Sequence, residues 1–187
     1  MSRFHSPISI PNVLTIIRIL LTPIFIILML HHRYTHALLV FAVAGLSDGL
    51  DGFIARYLNQ RTALGAILDP VADKLLLVSA YIVLVVMDVI PDWVAVIVIA
   101  RDVIISLGIA IFTITEKEYE VRPSIVSKCT TAAQILLVMA SLFDPTGTKM
   151  TLLDLLLQWT TAVVTTISGL HYIYVGMGIL QESNDRL

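Results

Sequence analysis

A chain of 187 residues with 57% hydrophobic and 14% charged side chains, at a mean hydropathy of +0.89, carries more apolar surface than a soluble domain of this size can bury; such domains average about 25% charged residues. Nine glycines and seven prolines exclude collagen-like repeats, and the apolar excess excludes disorder. A formal net charge of −2 leaves no footprint for nucleic acid, and the single cysteine, Cys129, excludes an intrachain disulfide.

These numbers describe an integral membrane protein, one all-α domain over residues 1–187. Crossing the hydrocarbon core as a helix takes roughly 20 apolar residues. Six stretches qualify in chain order: 13–30, 37–58, 70–87, 93–115, 124–143 and 151–180. They are separated by His31-His32-Arg33-Tyr34, Asn59-Gln60-Arg61, the segment from Asp88 to Asp92, the acidic stretch from Glu116 to Pro123, and Asp144-Pro145-Thr146-Gly147. The expected architecture is therefore a bundle of six transmembrane helices, with the sixth long enough to tilt or to extend past the bilayer. Residues 2–12 are short and polar and show no cleavable-signal pattern. Six crossings, an even number, put both termini on one side. That side holds Arg3, Arg56, Arg61, Lys117, Arg122 and Arg186 against Arg33 and Lys149 opposite, which predicts that it is cytoplasmic.

The second and third spans carry the chemistry. From Ser47 the sequence reads SDGLDGFIARYLNQRTALGAILDPVADK. Asp48 and Asp51 are three residues apart near the end of span two, and Asp69 and Asp73 four apart near the start of span three. On a helix each spacing puts both carboxylates on one face, with Cβ atoms about 5–6 Å apart. The loop between the spans is short, so the two pairs are expected to face one another. Charge inside a membrane is costly and marks function. Four converging carboxylates would repel one another unless hard, oxygen-seeking cations such as Mg²⁺ or Mn²⁺ sat between them. A pair of ions about 3.5–4 Å apart is the natural solution, and such a pair would grip a diphosphate. Gly52 costs about 1 kcal/mol within a helix; close approach of a ligand or tight helix packing would each account for it. Arg56, one turn later, is placed to meet a phosphate or one of the aspartates.

Asp48, Asp51, Gly52, Ala55, Arg56, Gly65, Asp69 and Asp73 together match the whole of D-x2-D-G-x2-A-R-x8-G-x3-D-x3-D. This pattern resembles that of the CDP-alcohol phosphatidyltransferase family, whose usual architecture also has six spans. The resemblance implies displacement of CMP from a CDP-alcohol by an acceptor hydroxyl. It implies metal ligation by Asp48, Asp51, Asp69 and Asp73, with Asp73 also the general base. It implies CDP contacts from the motif's first half, through Asp48, Asp51, Gly52, Ala55, Arg56, Thr62 and Gly65. The lipid substrates so implied are CDP-diacylglycerol and a phosphatidyl acceptor, in a homodimer. With no transit segment visible, the expected location is a bacterial inner membrane with the site facing the cytoplasm.

The opening Ile10-Pro11-Asn12-Val13-Leu14-Thr15-Ile16-Ile17-Arg18 looks like the start shared by phosphatidylglycerophosphate synthases and the cardiolipin synthases of this family. The former usually carry Arg-Glu and a second arginine in span four, then Gly-Lys-x-Lys-Thr opening span five. Here span four has Arg101-Asp102 and span five opens Ser127-Lys128-Cys129-Thr130, so Thr130 replaces the second lysine. Two cations suited to a glycerol-phosphate dianion are missing, and the resemblance tips toward cardiolipin synthases, with phosphatidylglycerol as acceptor and phosphatidylglycerophosphate synthase as the alternative. Arg18, Arg101 and Lys128 are the candidate acceptor contacts. Each has a plainer reading: Arg18 snorkelling to the interface, Arg101 paired with Asp102 for helix packing, Lys128 an interfacial anchor.

Other conspicuous residues carry less. His31, His32 and His36 read as a polar interfacial connection; His171, Tyr172, Tyr174 and Trp159 as interfacial or packing groups. Cys129 lacks any Cys-His arrangement, and Gly169, Gly176 and Gly178 fit close helix contacts, within the chain or across a dimer. Two rival functions use acidic clusters in membranes. Membrane prenyltransferases keep their paired aspartate motifs on widely separated spans, unlike Asp51 and Asp69. An ion carrier has no need of the pattern formed by Gly52, Ala55, Arg56 and Gly65.

Overall fold

A computed structural model describes the backbone of residues 10–57, 63–114, 125–146 and 151–184, and the side chains of residues 13–47, 71–108, 126–146 and 152–178. All regular structure among these is helical: α1 (Ile10–Leu30), α2 (Tyr34–Tyr57), α3 (Ala63–Val86), α4 (Asp92–Ile114), α5 (Ile125–Phe143) and α6 (Thr151–Asn184). Each expected span has its helix. The boundaries move most at α3, which starts seven residues before the expected Pro70. Hydrophobicity marks where a helix enters hydrocarbon, whereas backbone hydrogen bonding continues through the polar motif. Asp69 and Asp73 therefore lie well inside α3.

Among the described residues three helical stretches are long and apolar enough to cross a membrane: Val13–Leu30, Val126–Phe143 and Leu152–Gly178; Tyr34–Ser47 is a shorter apolar run. The α6 helix has 34 residues, about 51 Å at 1.5 Å per residue, longer than a bilayer core of about 30 Å.

The chain divides into two compact units, Met1–Val89 and Ile90–Leu187. In the first, α1 packs on both α2 and α3. Its inner stripe is Thr15, Arg18, Thr22, Phe25 and Met29, all essentially buried and spaced for one helical face. The stripe is polar in its first half and apolar in its second. Phe25 meets Phe41 of α2 with ring centroids 5.7 Å apart. Ala37 and Ala44 of α2 and Ala72 and Ala80 of α3 are also buried, small side chains that let helix backbones approach.

In the second unit α6 packs on both α4 and α5. A polar seam runs along α5 and α6: Thr130 Oγ1 reaches the carbonyl of Val164 (3.3 Å), Thr161 Oγ1 that of Ala133 (3.3 Å), and Gln134 Nε2 donates to Thr165 Oγ1 (3.4 Å). Meanwhile Leu20, Leu46, Val86, Val96, Leu136, Leu152 and Leu170 are exposed. Polar groups inside and leucines outside is the distribution expected when the surroundings are hydrocarbon, where interhelical hydrogen bonds and close packing hold helices together.

Candidate active site

The motif lies on two consecutive helices. Asp48, Asp51, Gly52, Ala55 and Arg56 are on the second half of α2, and Gly65, Asp69 and Asp73 on the first half of α3. Only residues 58–62 lie between them. The helical backbone gives each aspartate pair the three- and four-residue spacing of a shared face. The side chains of Asp48, Asp51, Gly52, Ala55, Arg56, Gly65 and Asp69, and all of Thr62, lie outside the described residues.

Asp73 is described, and it has a partner absent from the motif. Arg18 of α1 donates from Nη1 to Asp73 Oδ1, forming an ion pair. Its Nε also donates to the carbonyl of Ala44 on α2, at 3.4 Å. The carbonyl of Arg18 accepts from Thr22 Oγ1 (3.0 Å), and Ala44 O accepts from Ser47 Oγ (2.8 Å). Arg18 is therefore buried between helices and does not snorkel. The two partners differ sharply in exposure: the arginine side chain is 1% exposed, the aspartate 44%. A carboxylate open on one side and fixed on the other is suited to take a proton or to contribute an oxygen to a cation. Among the described residues no three His, Cys, Asp or Glu side chains gather as a metal site. The donors the sequence supplies for one are the four aspartates, whose hard oxygens fit Mg²⁺ or Mn²⁺.

The other candidate contacts lie in the second unit. Arg101 Nη1 donates to Asp102 Oδ1 (2.8 Å), while Nη2 donates to Ser127 Oγ on α5 (2.8 Å) and Ser168 Oγ on α6 (3.0 Å). Its guanidinium carbon sits 5.9 Å from the Tyr172 ring centre, within cation–π range. Arg101 and Asp102 are both buried, and the buried Arg101 Nε has no hydrogen-bond partner among the described residues. The pairing reading thus describes how this guanidinium is held. Lys128, next to Ser127, is exposed. Thr130 is fully buried and donates to Val126 O at 2.8 Å. Gly169 faces Arg101: a Cβ there would stand 3.5 Å from Arg101 Cγ, an ordinary van der Waals contact. Nothing in the sequence singled out Ala44 or Ser168. Ser168 continues the small polar series of Thr161 and Thr165 along α6, a spacing that marks it in retrospect; a backbone carbonyl such as Ala44 O leaves no such trace.

Residues 8–168 match the CDP-alcohol phosphatidyltransferase family. The chain belongs to that family. CDP-alcohol phosphatidyltransferases are transferases, and so are the named relatives. A human protein named cardiolipin synthase (CMP-forming) is 37% identical over 98% of this chain and 67% of its own length. The rat protein of the same name is 38% identical over 96% and 65%. A Bacillus subtilis protein named CDP-diacylglycerol–glycerol-3-phosphate 3-phosphatidyltransferase is 32% identical over 94% and 99%. The chain thus spans about two thirds of the two mammalian relatives and nearly all of the bacterial one.

Proposed function

We propose that this phosphatidyltransferase is a cardiolipin synthase: the hydroxyl of phosphatidylglycerol attacks the phosphatidyl phosphorus of CDP-diacylglycerol, an O–P bond forms, and the bond to CMP breaks. An alcohol at neutral pH is a weak nucleophile, so a positioned carboxylate must take its proton as attack proceeds. Asp73, half open and anchored from behind, carries that role, and this placement is the observation on which the reading rests. Asp48, Asp51 and Asp69 join it in holding two divalent ions. When bound, these ions neutralise the diphosphate and stabilise the departing CMP. Gly52, Ala55, Arg56, Thr62 and Gly65 border the CDP moiety.

Two observations support phosphatidylglycerol over glycerol 3-phosphate. The human and rat relatives named for cardiolipin synthesis are 37% and 38% identical to this chain, against 32% for the Bacillus subtilis relative named for the glycerol-3-phosphate reaction, each over more than nine tenths of it. Thr130, where phosphatidylglycerophosphate synthases usually carry a second lysine, is a buried packing residue; a phosphodiester with one charge needs fewer cations than a phosphomonoester dianion.

The deciding experiment gives purified protein CDP-diacylglycerol and Mn²⁺ with either acceptor and identifies products by lipid mass spectrometry. Cardiolipin and CMP are expected with phosphatidylglycerol. Phosphatidylglycerophosphate without cardiolipin would establish the alternative acceptor. EDTA should abolish turnover and excess Mn²⁺ or Mg²⁺ restore it; turnover indifferent to chelation removes the metal reading.

A further inference from the structure

The first unit holds an arginine at 1% exposure whose guanidinium ends on a carboxylate at 44%. We propose that Arg18 is a positioning residue for phosphatidyl transfer: it fixes the Asp73 carboxylate on α3 and ties α2 and α3 in register, without touching either lipid. The proposal rests on Asp73 as proton acceptor.

Arg18 heads the fully buried side chains of the described residues by size, so it offers no surface to an acceptor headgroup and acts through what it holds. Its two anchor points sit beside the motif. Ala44, whose carbonyl accepts from Arg18 Nε, lies one helical turn before Asp48 on α2. Asp73 lies one turn after Asp69 on α3. One rigid, forked side chain therefore anchors both motif helices beside their aspartates, and the planar guanidinium with its fixed donors suits that task as an ammonium does not. The other ion pair differs in exposure. In Arg101–Asp102, a pair within α4, the side chains are 8% and 7% exposed, as befits a pair sealed into helix packing. In Arg18–Asp73 one partner is sealed and the other left open. A pair serving packing alone gains nothing from that asymmetry; a reacting carboxylate held from behind requires it.

Misplacing a reacting group by about 1 Å costs on the order of a hundredfold in rate. The test is steady-state kinetics of the full chain in mixed micelles with Mn²⁺, CDP-diacylglycerol and phosphatidylglycerol, for Arg18→Met, Arg18→Lys and Asp73→Asn. Arg18→Met is expected to lose roughly a hundredfold in kcat, with KM for each lipid within about twofold of wild type. Lysine can reach Asp73 or Ala44 O but not both, so Arg18→Lys should fall between, losing roughly tenfold in kcat at unchanged KM. If Arg18→Met does not survive extraction, Arg18→Lys decides by the same split. Wild-type kcat in Arg18→Lys, or a rise confined to the KM for phosphatidylglycerol in either variant, overturns the proposal and returns Arg18 to acceptor binding or to neither role. Asp73→Asn separates the two readings. If it is inactive while the Arg18 variants turn over normally, positioning alone fails; if it turns over normally, the reading of Asp73 fails and positioning with it.

Discussion

Buried charge is tolerable in this protein only where a partner is built in, and Arg101 shows how tightly that constraint binds. Asp102 neutralises it through Nη1, Ser127 and Ser168 take the two donors of Nη2, and Tyr172 lies within reach of its guanidinium. Removing one member of a buried pair strands the other and costs about 3–5 kcal/mol, whereas replacing both by apolar groups is often neutral or stabilising. Arg101→Met should therefore lower the thermal unfolding midpoint in micelles strongly, and Arg101→Met with Asp102→Leu should recover most of the loss. Equal loss in the single and double variants would show that the pair is not what couples these residues. The adjacency of Arg101 and Asp102 made their pairing legible from sequence. Arg18 and Asp73 stand 55 residues apart, and no local spacing announces that they meet. Residue types at fixed intervals marked the aspartates, but what stands behind one of them required the fold.

At the scale of elements, helix existence was legible and helix ends were not. Apolar runs fixed six rods because each must be about 20 residues long to cross a bilayer. They could not fix α3, where hydrogen bonding runs back to Ala63 through residues of mixed polarity. Two ends are set by backbone geometry. His32 and Asp88 both have φ of 55°. After α1, Arg33 N bonds Leu28 O (2.9 Å) and His32 N bonds Met29 O (2.8 Å); after α3, Val89 N bonds Leu84 O (2.9 Å) and Asp88 N bonds Val85 O (2.9 Å). Both are Schellman stops with a non-glycine residue in the left-handed position. That conformation costs roughly 1–2 kcal/mol for most L-residues and less for Asp. The exposed Asp88 is the clean place to test it. Asp88→Gly should raise the unfolding midpoint, equivalent to about 0.5–1 kcal/mol, and Asp88→Val should lower it by a larger amount. A midpoint for Asp88→Gly below wild type would mean that the Asp88 side chain contributes more than its backbone costs.

At the scale of the whole molecule the deciding quantity is the medium. Exposed leucines, valines and isoleucines alternate with buried Thr15, Arg18, Thr130, Gln134, Thr161, Thr165 and Ser168, a distribution that water would invert. The helices of 23 or 24 residues, α2, α3 and α4, are each about 35 Å long, enough for a bilayer core of about 30 Å. Composition and mean hydropathy made the membrane legible at once, because solvent preference is a sum over residues. Direction across the membrane is a weaker signal, since it rests on six Lys/Arg against two and on where the connecting segments fall. If the chain crosses six times with cytoplasmic termini, as the Lys/Arg count predicts, Gln60 between α2 and α3 is cytoplasmic and His32 between α1 and α2 lies on the other side. Because Cys129 is the chain's one cysteine, a Cys129→Ser background permits single-cysteine probes at both places. In intact bacterial cells a membrane-impermeant maleimide should label His32→Cys and spare Gln60→Cys, which should react once the membrane is opened. Labelling of Gln60→Cys in intact cells would reverse the orientation, and labelling of both would break the even-crossing topology. The chemistry makes this more than bookkeeping. On the proposed function CMP leaves on the side of the connection between α2 and α3, and a CDP-activated lipid is made where cytidine nucleotides are, so an outward-facing connection would count against CDP-diacylglycerol as the donor.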